Sequence, residues 1–143
     1  MVMPYLDGPE ISVDCLQTCT GVIAIPRFKS AGRHEEICFD SELIEVTKKI
    51  VARSGLEQPC NVQYRVGNGI IYLLEINTRM SGGIPMSCLG TGVNIPGIAL
   101  CKLLGRHVSW TLPEKNTMVS YIEMPEILKY SQKTSRPTEK CSG

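Results

Sequence analysis

The order of apolar and polar positions divides the chain into short strands and a few helices. Ile11, Val13 and Cys15 alternate with Ser12 and Asp14, the period-two pattern of a strand with one buried face. After the polar connection Gln17 to Thr20, the run Gly21 to Pro26 reads as a second strand, and Glu36 to Phe39 as a short third one closing a meander. Leu43, Val46 and Ile50 then fall at i, i+3 and i+7, which predicts a helix capped by Asp40 or Ser41 and ended by Gly55. Lys48, Lys49 and Arg53 lie in its later turns, where cations complement the helix dipole. Strands are expected over 61–66 and 70–77, joined by Gly67-Asn68-Gly69, then a glycine-rich loop with helical turns, a helix Ile95 to Leu104, and a strand Thr117 to Met124. The predicted fold is α+β, a largely antiparallel sheet flanked by helices, over residues 1–128, with a polar tail over 129–143.

The hairpin over 61–77 carries the candidate chemistry. On its second strand Ile70, Tyr72, Leu74 and Ile76 share one face, and Glu75 and Asn77 share the other. With three unpaired turn residues Val66 faces Ile70. Val62, Tyr64 and Val66 then join the apolar face, and Gln63 lies opposite Leu73 and diagonal to Glu75. One carboxylate and two amide oxygens on one face form a hard, weakly charged donor set suited to Mg²⁺. Arg79 follows, then Ser81-Gly82-Gly83, whose backbone can approach an anion, and Pro85, which fits the first turn of a helix. Periodicity alone equally allows a strand end meeting water and a plain glycine turn.

Composition narrows the function class. With 143 residues, 43% hydrophobic and 20% charged, and a mean hydropathy of +0.00, the chain has the makings of one globular domain, not of a disordered, collagen-like or membrane-bundle sequence. A net charge of +1 makes nonspecific nucleic-acid or acidic-lipid binding a poor expectation, so any phosphate chemistry must be local. The uncharged stretch Met80 to Cys101 holds five glycines and two prolines and reads as loop plus buried helices, not as a membrane span. The seven cysteines are scattered without a metal or disulfide pattern, and the N-terminus has no secretory signal, so a reduced, cytoplasmic protein is expected. His34 and His107 are assigned no role.

Leu74-Glu75-Ile76-Asn77-Thr78-Arg79-Met80-Ser81-Gly82-Gly83 resembles the signature of the ATP-grasp superfamily, nearest to carbamoyl-phosphate-synthase-like and uncharacterised ATP-dependent carboxylate ligases. The resemblance runs from about Met3 to Leu104. Pro4 to Asp14 resembles the segment leaving the adenine-binding hinge (residues 1–8), and Cys60-Asn61-Val62-Gln63 the strand with a metal-contacting glutamine. It implies the C-terminal subdomain of the ATP-grasp fold. Glu75 would bridge two Mg²⁺ (or Mn²⁺) ions, with Gln63 and Asn77 as further metal ligands. Arg79 would be the catalytic residue that steadies the transferring phosphoryl group. Pro4, Tyr5 and Leu6 would border the adenine, Glu10 would reach the ribose, and Arg27, with Lys29 and Arg33 as alternatives, would face phosphate or substrate.

The implied activity is ATP-dependent activation of a carboxylate, or bicarbonate, as an acyl phosphate captured by an amine or another nucleophile. Two departures stand out. The subdomain with the phosphate-covering lysines has no counterpart, which implies a chain inactive by itself, with a complementary N-terminal half or a second copy as partner. Pro4 lacks the N–H that a hinge residue could offer to adenine. The alternative function is a non-catalytic partner-binding or assembly module derived from such an enzyme.

Overall fold

The computed structural model describes residues 5–30 and 34–122. It contains strands β1 (Glu10–Thr18), β2 (Gly21–Lys29), β3 (His34–Ile37), β4 (Cys60–Gly67), β5 (Ile70–Asn77) and β6 (Thr117–Ser120). The helices are α1 (Ser41–Ser54), α2 (Ile84–Thr91) and α3 (Ile95–Leu103). All six strands form one antiparallel sheet in the order β5-β4-β1-β2-β3-β6. This is the α+β architecture expected from the sequence. Pro4, Arg33, Met124 and the tail 129–143 lie outside the described residues.

Alternation along the strands sends two apolar sets to opposite faces. Ile11, Val13, Cys15, Val22, Ala24, Val62 and Tyr64 pack beneath α1. Leu16, Ile23, Ile25, Ile37 and Val119 pack beneath α2 and α3, against Ile84, Met86, Ile95 and Ile98. A fully buried side chain of this kind contributes about 1.5–3 kcal/mol. The expected stripe of α1 is turned: Leu43, Ile44, Thr47 and Val51 are buried, and Val46 is 44% exposed. Thr47 can enter the core because its hydroxyl donates to Leu43 O and meets the Tyr64 hydroxyl, each at 2.8 Å. Burial of that phenol pushes its pKa up. The cap is as expected, with Asp40 accepting from Leu43 N at 2.9 Å, and Gly55 at φ 67° closes the helix.

Over Met80 to Cys101 the two short helices α2 and α3 meet at 100°, and among the described residues no single helix is long and apolar enough to cross a membrane. Leu89 and Leu100 point outward at 79% and 58% exposure, so the pair is only half buried. Cys15 and Cys60 face each other across β1 and β4. The hydrogen bond between their thiols, and then burial, raise the Cys15 pKa well above its ordinary value. A thiol so held is a poor nucleophile.

The β4–β5 register departs from the expected one. Gly67 pairs with Ile70 and Val66 with Ile71, so the loop is the two-residue turn Asn68-Gly69, at φ 49° and 75°. Asn-Gly with positive φ at both positions is the turn that matches the twist of a hairpin. Farther along, the pairing shifts between Gln63 and Tyr64, with Tyr64 opposite Leu73 but Gln63 opposite Glu75. Leu74 therefore has no partner, a bulge that breaks the alternation assumed for Ile70, Tyr72, Leu74 and Ile76. Ile76 alone of these packs on the core beneath α1.

Candidate active site

The polar residues of the sheet gather on the α2 face, at the end where the start of α2 and the loop before it cross the sheet. Alternation places Ser12 and Asp14 of β1, Asn61 and Gln63 of β4, and Arg27 of β2 on that face, since Ile11, Val13 and Val62 take the other. The β5 bulge brings Glu75 opposite Gln63 and Asn77 opposite Asn61. Without the shift the register of the hairpin tip would set Gln63 opposite Leu74 and Glu75 opposite Val62, on the α1 side of the sheet. The structure thus joins Gln63, Glu75 and Asn77 more closely than the sequence pattern did.

Glu75 is exposed and accepts one hydrogen bond among the described residues, from Asn77 Nδ2 at 2.7 Å. Gln63 donates from Nε2 to Asn61 Oδ1 at 3.3 Å, which leaves its carbonyl oxygen as an acceptor. Beside this rung lies a cleft of about 360 Å³, lined by Ser12, Arg27, Gln63, Arg79 and Ser81 together with the Gly82-Gly83 backbone. Arg79 is exposed at its rim and, among the described residues, donates to the carbonyl of Met80, at 3.1 Å. Lys29 and Glu35 complete the cleft walls.

Asp14, given no function by the sequence pattern, is the most connected side chain here. It is fully buried, and both oxygens accept two hydrogen bonds. Oδ1 takes Asn61 Nδ2 at 2.8 Å and Ser81 Oγ at 2.6 Å; Oδ2 takes Arg27 Nε at 3.0 Å and Ser87 Oγ at 2.6 Å. Arg27 is 2% exposed. Beyond Asp14 it donates to Glu35, to Ser12 Oγ at 3.3 Å and to Ser81 Oγ at 3.0 Å. The arginine forms part of the cleft floor, with its guanidinium already committed to protein acceptors. An acidic residue flanked by apolar Val13 and Cys15 in mid-strand was the available signal for this network.

The expected nucleotide contacts are spread along the neighbouring edge. Glu10 is ion-paired with Lys29 across β1 and β2. Gly8 and Pro9 exchange backbone hydrogen bonds with Val66, and Gly8 O accepts from Arg65 Nε at 3.1 Å. Leu6 lies over Gly67, and Tyr5 is 87% exposed. Residues 6–9 therefore run against the far part of β4, while Gln63 lies toward the start of that strand with Glu75 and Asn77 beside it on β5. His34 and His107 are both exposed, with His107 Nε2 2.8 Å from Cys19 Sγ.

The family described as "ATP-grasp in the biosynthetic pathway with Ter operon" matches residues 1–126. The arginine-specific carbamoyl phosphate synthase large chain of Geobacillus stearothermophilus is 27% identical over 130 residues, covering 80% of this chain and 12% of that protein. The carbamoyl phosphate synthase large chain of Thermomicrobium roseum is 29% identical over 125 residues, covering 76% of this chain and 11% of that one. In fold, the chain is similar to a biotin carboxylase from Campylobacter jejuni crystallised with β,γ-ATP, with a TM-score of 0.67 and 20% identity over 80% of this chain and 30% of that one. The chain thus spans about an eighth of the length of the carbamoyl phosphate synthases it matches, given the 12% coverage. With the match extending over all of the described sheet and helices, the chain belongs to the ATP-grasp family.

Proposed function

We propose that this chain supplies the metal- and phosphate-binding wall of an ATP-dependent ligase that activates a small carboxylate, or bicarbonate, as an acyl phosphate. The observation that carries this reading is the rung on which Gln63 faces Glu75, with Asn77 beside it and Arg79 at the rim of the adjoining cleft. The donor set fits Mg²⁺, or Mn²⁺, because it is all oxygen, carries a single carboxylate and is open enough for water and phosphate to complete the shell. Glu75 would hold the ions with its carboxylate, and Gln63 and Asn77 would each add an amide oxygen. When bound, such ions neutralise charge on the transferring phosphoryl group.

The remaining roles fall to the chain's own groups. Arg79 donates to the γ-phosphoryl oxygens as charge develops there. The Gly82-Gly83 backbone lets the phosphates lie close to the loop. The carboxylate oxygen of the substrate attacks the γ-phosphorus and ADP leaves. An amine or another nucleophile then displaces phosphate from the acyl phosphate. Adenine would lie near Pro4, Tyr5 and Leu6, and Glu10 would reach the ribose once Lys29 releases it. The opposite wall, with cationic side chains over the phosphates, would come from a complementary ATP-grasp half or a second copy. This chemistry suits the cytoplasm, where thiols such as the six described here stay reduced.

Calorimetric titration with a non-hydrolysable ATP analogue tests the reading. Binding is expected to require Mg²⁺, to tighten on addition of a complementary half, and to be lost in Glu75→Ala. Undiminished Mg²⁺-dependent binding by that variant would remove Glu75 from the metal site.

A further inference from the structure

The four donors on Asp14 come from four different parts of the fold: Arg27 from β2, Asn61 from β4, Ser87 from α2, and Ser81 from the loop between β5 and α2. An ionised carboxylate offers about four acceptor positions, so this one is saturated. Its other ties run to backbone carbonyls: the Tyr121 hydroxyl donates to Gly82 O at 3.2 Å, and the Met86 and Ser87 amides donate to Gly83 O at 2.9 and 3.2 Å. Gly82 and Gly83 carry no side chains, and a Cβ on Gly82 would meet open space. A Cβ on Gly83 would run into the Arg27 guanidinium, so the loop backbone rests directly on that group. Ser81 Oγ donates to Asp14, accepts from Arg27 Nη2 at 3.0 Å, and accepts from the Gly83 amide at 3.2 Å. One hydroxyl thereby ties the glycine turn to both charges beneath it.

We propose that Asp14 is the positioning residue of the phosphate end of the cleft, acting through Ser81 to set where the Gly82-Gly83 backbone and, two residues upstream, Arg79 stand. The inference rests on the ligase reading for what the loop binds, though not for how the loop is held. Apolar packing could hold β1, β2 and β4 together without fixing a glycine loop, because dispersion contacts have no direction. Hydrogen bonds to a saturated carboxylate do have direction. Ser87 provides an internal control, since its bond to Asp14 is as short as that of Ser81, at 2.6 Å, but it enters from α2, outside the cleft lining.

The test uses the 143-residue chain with Ser81→Ala, Ser81→Thr, Ser87→Ala and Asp14→Asn. Two readouts are compared: amide hydrogen exchange of Gly82 to Ser87 without nucleotide, and Mg²⁺-dependent binding of a non-hydrolysable ATP analogue. Ser81→Ala should speed exchange at Gly83 and weaken analogue binding, each by about ten-fold, the size of one charge-assisted hydrogen bond. Ser81→Thr keeps the hydroxyl and should restore both. Ser87→Ala should lower thermal stability while leaving affinity unchanged, and Asp14→Asn should follow Ser81→Ala. Should Asp14→Asn not fold, the alanine and threonine pair at position 81 decides.

Unchanged exchange in Ser81→Ala overturns the proposal. So does an equal loss of affinity in Ser81→Ala and Ser87→Ala, which would make Asp14 a stabilising group only. If the wild-type chain takes up no analogue with Mg²⁺, alone or with a complementary half, the ligase reading fails, and the exchange comparison still decides whether Asp14 holds the loop.

Discussion

Asp14 and Glu75 stand on the same face of one sheet, two strands apart, and their surroundings could hardly differ more. Asp14 lies on central strand β1, fully buried, with four donors on its two oxygens. Glu75 lies on edge strand β5, exposed, with one donor among the described residues, the Asn77 amide. A carboxylate in the sheet centre is reached from β2, β4 and the crossing helix, and must be, because an unpaired buried charge is prohibitively unstable. At the edge no further strand among the described residues covers the side chain, which leaves acceptor positions open to an ion. The same functional group becomes scaffold in one place and candidate ligand in the other, according to how many elements can reach it.

The strongest way to break this contrast is Asp14→Ala. It should destabilise the fold by about 3–5 kcal/mol, read from the urea midpoint, because Arg27 loses a partner and three further donors are stranded. A loss below about 1 kcal/mol would show that the donors find other acceptors. Next in size, Ser87→Ala should cost about 1.5–3 kcal/mol, the worth of one hydrogen bond to a charge. Glu75→Gln sharpens the other side: stability should stay within about 0.5 kcal/mol, while the Mg²⁺ concentration needed for half-maximal nucleotide binding rises about ten-fold, equivalent to roughly 1.4 kcal/mol. A large stability loss there would mean that Glu75, too, belongs to the scaffold. Smallest of all, Ile71→Lys on the exposed part of β5 should change stability by no more than about 0.5 kcal/mol, measured by thermal unfolding.

What the sequence disclosed follows the same division. Glu75, Asn77, Arg79 and the Ser81-Gly82-Gly83 loop are neighbours in the chain, so their association is visible in a ten-residue string, and the ATP-grasp resemblance rests on it. The bounds of β5 and the caps of α1 are local too, set by alternation, by Asp40 and by Gly55. Asp14 is different. Its partners at positions 27, 61, 81 and 87 are brought together only when β2 and β4 flank β1 and α2 crosses the sheet, so from the sequence it reads as one more polar position. Thr47 goes unmarked for the same reason, since its place in the core depends on the Tyr64 hydroxyl of another element. The β4–β5 register was hidden because a bulge adds one residue without altering composition, and a pattern of period two cannot reveal where its own phase changes.

The unpaired Leu74 therefore separates the hairpin into two independently phased segments. On one side Ile76 is pinned in the core and keeps Glu75 and Asn77 facing the cleft. On the other, residues 70–73 and the Asn68-Gly69 turn form a tip whose facing is set separately. Removing Leu74 would bring both segments into one frame. The tip would keep its facing, with Leu73 still opposite Tyr64 on the α1 side and Tyr72 opposite Arg65, and the metal-type rung would stay in place. Substitutions and paired insertions in the tip should likewise leave that rung undisturbed, so this hairpin can vary at its end while its chemistry is held constant.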